Sequence, residues 1–253
     1  MKISPKKILK GIVNATDLLF KGLLFPNTCA ACGRTIDYPS QGAICKNCLG
    51  GIKKIMPPLC TICGNPFISG TGINHTCGDC IKDPPSYSLA RAAFEYGGSI
   101  RNLIHRIKFY DDRYALKTLC EIVKQNMPAM PDPGVLIPVP LHAARLRQRG
   151  FNQAAELARR IFPDSVVALD MLARHKKTLQ QTGLTSRQRR RNVEDAFSVT
   201  GKINHTDHAK ITIIDDILTT GSTVNECAKA LLKAGADQIE VFTVARATIK
   251  NIN

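Results

Sequence analysis

A chain of 253 residues is long enough for one full α/β domain plus a smaller module. Hydrophobic residues make up 44% of it, which argues against wholesale disorder, and no run of about 18 apolar residues is present to span a membrane. The balance of 35 basic against 20 acidic residues gives a net charge of +15 and favours a polyanion as ligand or partner.

Residues 1–25 come first as an amphipathic helix. Lys2, Lys6, Lys7 and Lys10 precede an apolar stretch, but Asp17 and Lys21 interrupt it and no small-residue cleavage site follows, so a signal peptide is not indicated. Ile8, Leu9, Ile12 and Val13, then Leu18, Leu19, Leu23 and Leu24, form an apolar stripe that docks on the protein's own core. Peripheral contact with an anionic membrane is the alternative. The expected location is cytoplasmic, with the inner face of the membrane as the second choice.

Residues 26–85 hold four Cys-x2-Cys knuckles: Cys29/Cys32, Cys45/Cys48, Cys60/Cys63 and Cys77/Cys80. Two residues between thiolates let each knuckle supply half of a tetrahedral site, so the eight cysteines bind two structural Zn²⁺. Structural disulfides are not expected in a cytosolic protein, whose thiols stay reduced. Pairing in sequence order makes two consecutive ribbons; first with third and second with fourth makes a cross-brace, and spacing leaves both open. Gly33, Gly64 and Gly78 stand where tight or left-handed turns are expected. His75 reads as a bystander, and Cys120 and Cys227 as core residues on helix faces. So few large apolar side chains lie between the knuckles that the ribbons could not fold without metal.

Pro84-Pro85 marks a boundary, and residues 86–253 form the larger domain. A strand is expected over Ala90–Tyr96, helices around Ile100–Ile107 and Leu116–Val123, and a loop over Pro128–Gly134. A buried strand follows over Val135–Leu141, then a helix over Phe151–Phe162, a strand over Val166–Leu172 and a helix over Ser186–Ala196. Strands over Lys210–Ile214 and Gln238–Arg246 complete an alternation that argues for an α/β fold: a mostly parallel sheet with helices on both faces. Between residues 142 and 192, twelve basic residues face only Glu156, Asp164 and Asp170. So one-sided an excess favours contact with a polyanion. Arg145, Arg147, Arg149, Lys176, Lys177, Arg189, Arg190 and Arg191 are the candidate contacts, through phosphates rather than bases.

Residues 211–224 are the most informative stretch. A hydrophobic run ends in Asp215-Asp216, a small-hydroxyl loop follows at Thr219-Thr220-Gly221-Ser222-Thr223, and a helical pattern begins at Val224. A strand, turn and helix N-terminus in that order collect a phosphate on free N–H groups, and Gly221 permits close backbone approach. Paired carboxylates accept hydrogen bonds from vicinal hydroxyls. Together these describe a ribose 5-phosphate, and the stretch resembles the phosphoribosyl pyrophosphate (PRPP) motif of type I phosphoribosyltransferases. The resemblance places Asp215 and Asp216 against the ribose hydroxyls and Thr219 to Thr223 around the 5-phosphate.

Two further blocks, Ile137–Leu141 with Arg145–Gln153, and Thr178–Gln181 with Arg187, Arg191-Asn192 and Ala196-Phe197, join this motif and the knuckles. In that combination the chain resembles the ComF family of competence proteins. One departure is Tyr110-Asp111-Asp112, where relatives often place a glycine. The resemblance implies a double zinc ribbon joined to a PRPP-binding domain of phosphoribosyltransferase type, which handles imported single-stranded DNA in natural transformation beside a ComFA-type helicase. It also implies a second reading, an active phosphoribosyltransferase that moves ribose 5-phosphate from PRPP, with Mg²⁺, to an acceptor that the sequence does not identify. No catalytic residue is assigned.

Overall fold

The computed structural model describes residues 27–36, 43–67, 72–127, 132–176, 186–200 and 210–247. The expected helix at 1–25, Lys177 and Thr178–Gln181 lie outside them. Four parallel strands form the central sheet, ordered β1 (Leu89–Glu95), β6 (Gln238–Arg246), β5 (Lys210–Leu218) and β2 (Val135–Pro138). Strands buried on both faces need near-continuous apolar sequence, and Ile211, Ile213, Ile214, Ile239, Val241 and Phe242 supply it. Both sheet edges are occupied. Lys54 bridges Phe94 of β1 in antiparallel sense, and Val167 bridges Leu136 of β2 in parallel sense.

On one face pack α3 (Gly98–Tyr110), α4 (Arg113–Asn126) and α6 (Gln153–Ile161). Ile100, Leu103, Ile104 and Ile107 recur at helical spacing, so α3 buries one stripe against Phe94, Leu116, Leu119 and Phe242. The chain leaves α3 through Asp111 at φ 48°, a left-handed position that suits glycine, and Asp112 then caps α4 by accepting from Ala115 N at 2.8 Å. The other face carries α7 (Ser186–Val193), α8 (Ser222–Lys233) and a separate antiparallel pair, β3 (Leu172–Arg174) with β4 (Phe197–Val199). Cys120 and Cys227 are buried on α4 and α8, as expected of core residues. Among the described residues, no helix is long and apolar enough to cross a membrane.

Several expected elements change. The strand expected over Val166–Leu172 is only the Val167 bridge, followed by a bend and then β3. The helix expected from Phe151 begins at Gln153, because Asn152 is its N-cap and accepts from Ala154 N at 3.0 Å. An unexpected helix, α5 (Ala143–Arg149), precedes it. His142 Nδ1 caps its start and Gly150, at φ 77°, ends it. The helix expected to reach Ala196 stops at Val193. β5 runs four residues past Ile214, so the acidic pair sits within the strand.

Two short helices, α1 (Lys46–Gly50) and α2 (Gly78–Lys82), belong to the cysteine region. Gly33 and Gly64 take left-handed turns at φ 73° and 69°. Gly78 does not: it opens α2, just after Cys77 at the N-cap.

Candidate functional site

β5 delivers Asp215 and Asp216 to the carboxyl-end half of the sheet, where ligands of open parallel sheets bind. The chain then crosses Thr219 and Thr220 and turns at Gly221, whose φ of 76° is left-handed, directly into α8. Thr220 and Ser222 hydroxyls lie 2.8 Å apart. Space is tight there as well: a Cβ would stand 3.1 Å from the Tyr87 hydroxyl. The twelve-residue α8 adds its N-terminal dipole to this loop.

The two carboxylates are unequal: Asp215 is half-buried and Asp216 buried. Asp216 is 5% exposed and forms an ion pair with Lys108 of α3. Burial pushes its pKa up, but the Lys108 ammonium and several hydrogen bonds outweigh burial and hold it below the ordinary value. Burial, followed by the charge of Asp216, pushes Asp215 well above the carboxylate range. Asp215 Oδ1 accepts from the Asp216 backbone N–H at 2.8 Å. One charged and one readily protonated carboxyl therefore share this strand. The sequence alone does not single out Lys108, because its partner Asp216 lies over a hundred residues further on.

Lys108, Phe109, Asp111, Arg145, Gln148 and Arg149 line a cleft of about 130 Å³ beside this pair. The Arg145–Gln153 block explains how the cations are held. Asn152 Nδ2 donates to Val139 O at 3.1 Å and fixes the segment after β2, while Arg149 Nη1 donates to Gln153 Oε1 at 3.2 Å. The Arg113 guanidinium lies 4.3 Å from the centroid of the Phe151 ring. Burial, followed by the charge of Arg145, lowers the pKa of Arg149, and Asp216 opposes them, so this cation belongs to the field of the carboxylates.

Of the other expected basic contacts, Arg147 is exposed on α5. Lys176 follows β3 and donates to Glu194 O at 3.2 Å. Arg189, Arg190 and Arg191 fall on α7, with Arg191 exposed. The basic segment thus divides between the cleft side and the β3–β4 side of the domain.

The cysteines group in sequence order, the choice that spacing left open. The Sγ atoms of Cys29, Cys32, Cys45 and Cys48 lie within 4.8 Å of one another, as do those of Cys60, Cys63, Cys77 and Cys80. A tetrahedral zinc with Zn–S of about 2.3 Å sets its sulfurs about 3.8 Å apart. Cys32–Cys45 at 3.9 Å and Cys63–Cys77 at 3.8 Å match that size. Backbone N–H groups of Cys45 and Cys77 donate to Cys29 and Cys60, each at 3.4 Å. Burial raises these two thiols, yet the backbone donors prevail and bring both to about 6, so they are ready thiolates. Both groups fit Zn²⁺ and leave it no open position, the mark of a structural site. His75 takes no part. Its ring stacks on Phe67 with centroids 3.8 Å apart.

A parallel sheet bearing this carboxylate pair and hydroxyl loop, joined to paired four-cysteine sites, defines a zinc-ribbon protein of phosphoribosyltransferase fold. The double zinc ribbon domain family matches residues 20–81, and the phosphoribosyl transferase domain family matches residues 146–251. Competence protein F of Haemophilus influenzae is 31% identical over 227 residues, spanning 87% of this chain and 96% of that protein. DNA utilization protein YhgH of Escherichia coli (strain K12) is 28% identical over 232 residues, 88% of this chain and 99% of that one. Competence protein ComFC of Bacillus subtilis is 29% identical over 212 residues, 80% and 84% respectively. The chain belongs to the ComF family of competence proteins.

Proposed function

We propose that this protein binds the ribose 5-phosphate moiety of PRPP and handles imported single-stranded DNA in natural transformation, as a ComF-type protein. Asp215 and Asp216 take the ribose hydroxyls, and Thr219, Thr220, Gly221, Ser222 and Thr223 take the 5-phosphate. The basic residues of the 142–192 segment contact DNA phosphates, and one zinc ion in each four-cysteine group holds its ribbon together. The names of the relatives, competence and DNA utilization, support the DNA half. The observation that carries the ligand half is the carboxylate pair feeding directly into a left-handed glycine and a helix N-terminus.

Calorimetry with PRPP and Mg²⁺, and anisotropy with a labelled single strand, test the two halves. Each phosphate neutralised on a single strand contributes about 0.7 to the slope of log K against log salt. Several cations acting together give a slope of about −2 to −4, with little sequence preference. A salt-insensitive interaction, or no binding at low ionic strength with both zinc sites filled, sinks the DNA reading.

One observation favours a second reading, an active phosphoribosyltransferase: the cations of the cleft stand beside Asp216, where a pyrophosphate leaving group could be neutralised. Pyrophosphate release from PRPP in the presence of candidate acceptors would establish it.

A further inference from the structure

The last turn of α3 points two aromatic rings away from the core. Ile100, Leu103, Ile104 and Ile107 face inward, which leaves Phe109 57% and Tyr110 72% exposed. The left-handed Asp111 stops the helix there, so both rings stand at a corner of the domain. The His105 ring, one turn earlier and also exposed, lies 4.6 Å from Phe109 and 5.9 Å from Tyr110 between centroids. Grouped exposed rings are unfavourable in water and mark contact surfaces.

Cations meet these rings from another part of the chain. The Arg149 guanidinium of α5 lies 5.7 Å from the Phe109 centroid, and Arg145 lines the same cleft. Asp111, an acid in that lining, is already paired with Arg113 at 2.9 Å. The sequence hid this arrangement, because some forty residues separate the rings from the arginines and no aromatic is interleaved among Arg145, Arg147 and Arg149.

Rings beside arginines match the two chemistries of an unpaired polynucleotide, whose bases offer π faces and whose backbone offers phosphates. A duplex keeps its bases stacked inside and presents phosphate alone, so it gains nothing from Phe109 and Tyr110. An acidic peptide would use the arginines and leave the rings idle. We propose that Phe109, Tyr110 and Arg149 form a stacking platform for the bases of single-stranded nucleic acid, with Arg145 neutralising the adjoining phosphates. The proposal rests on the reading that this protein binds single-stranded DNA, and it names the surface that does so.

The test uses the full-length zinc-loaded protein and two labelled oligonucleotides of equal length, oligo-dT and an abasic strand with the same phosphate backbone. Base stacking on an aromatic side chain strengthens binding by about 5- to 150-fold per base. The wild-type protein is expected to prefer oligo-dT over the abasic strand by at least that lower factor. The Phe109→Ala/Tyr110→Ala variant, with zinc content and circular dichroism unchanged, is expected to bind the abasic strand as wild type does, to keep the same salt slope and to lose the preference. Phe109→Trp should retain it. A preference kept in full by the double variant, or absent from wild type, overturns the platform alone. Failure of wild type to bind either strand at low salt sinks the DNA reading and the platform with it.

Discussion

The two ribbons carry the same four-cysteine arrangement but attach to the domain differently. In the first, Cys29, Ala30 and Ala31 are buried in one core with Ile100, Leu103 and Leu116, and the Ser99 hydroxyl donates to Cys48 O at 2.8 Å. It belongs to the α3–α4 face. The second is keyed to strand ends and to the hydroxyl loop that follows β5. Ala90 N donates to Ile62 O at 2.7 Å, and Arg246, at the end of β6, donates to Cys63 O at 2.6 Å and Asn65 Oδ1 at 3.1 Å. The chain leaving it places Ser86 N against Asn225 Oδ1 at 2.7 Å and buries Tyr87 beside Gly221. One metal module thus serves as a core element in one copy and as a buttress for the candidate ligand site in the other.

The largest effects separate the ribbons outright. Structural zinc contributes roughly 10–16 kcal/mol of apparent binding free energy, which the ribbon needs in order to fold. Wild type is expected to contain two zinc ions, and Cys29→Ser or Cys60→Ser to lose one. The contacts above tie the ligand site to the second ribbon more directly than to the first. Cys60→Ser should also weaken PRPP binding by about tenfold or more, whereas Cys29→Ser should loosen the α3–α4 face and reach the site only through Lys108, with a smaller loss. Metal analysis, calorimetry and hydrogen exchange on both variants decide this, and equal losses of affinity would erase the comparison.

Next in size are the carboxylates. Asp215→Ala/Asp216→Ala should remove roughly 2–4 kcal/mol of PRPP binding, the worth of one charge-assisted and one neutral hydrogen bond, and leave zinc at two. Calorimetry with unchanged affinity would make the pair a structural relic. Lys108→Met acts on stability instead. The folded-state pKa of Asp216 lies below its unfolded value, so the ion pair stabilises the fold above the unfolded value and ceases to do so as pH falls through the folded one. Removing the cation from this buried pair should cost roughly 3 kcal/mol near neutral pH. The deficit should close in acid below the ordinary carboxylate range, as denaturant midpoints across that range would report.

Much of this was legible in the sequence because its signals are local. The knuckles, the acidic pair, the hydroxyl loop and the apolar stripe of α3 each lie within a few turns of chain. What escaped depends on contacts across the chain. Lys108 meets Asp216 over about a hundred residues, and Tyr87 meets Gly221 over more. The strand end was misplaced at Ile214 because carboxylates read as strand terminators, whereas Lys108 makes Asp216 tolerable inside β5. Helix α5 was overlooked because its seven residues present no apolar stripe: none of them is buried.

The smallest expected effects probe the buttress itself. Gly64 lies so close to β1 that a Cβ would meet Ala90 O at 2.4 Å, and its φ of 69° is strained for alanine. Gly64→Ala should therefore destabilise the second ribbon by about 1–3 kcal/mol, visible as easier zinc release from Cys60, Cys63, Cys77 and Cys80 alone. Asn225→Ala removes the acceptor for Ser86 N, a hydrogen bond worth about 1 kcal/mol, without touching a cysteine. Asn225 N also donates to Gly221 O at 2.9 Å, but through the backbone, which alanine retains. The loop should therefore keep its shape and lose only its tether. If the second ribbon steadies the loop through that tether, PRPP affinity should fall by a factor of about five, the equivalent of that one hydrogen bond, with both zinc ions in place. Affinity equal to wild type, in a variant whose melting temperature has dropped, would confine the contact to stability and leave Tyr87 as the direct link between ribbon and loop.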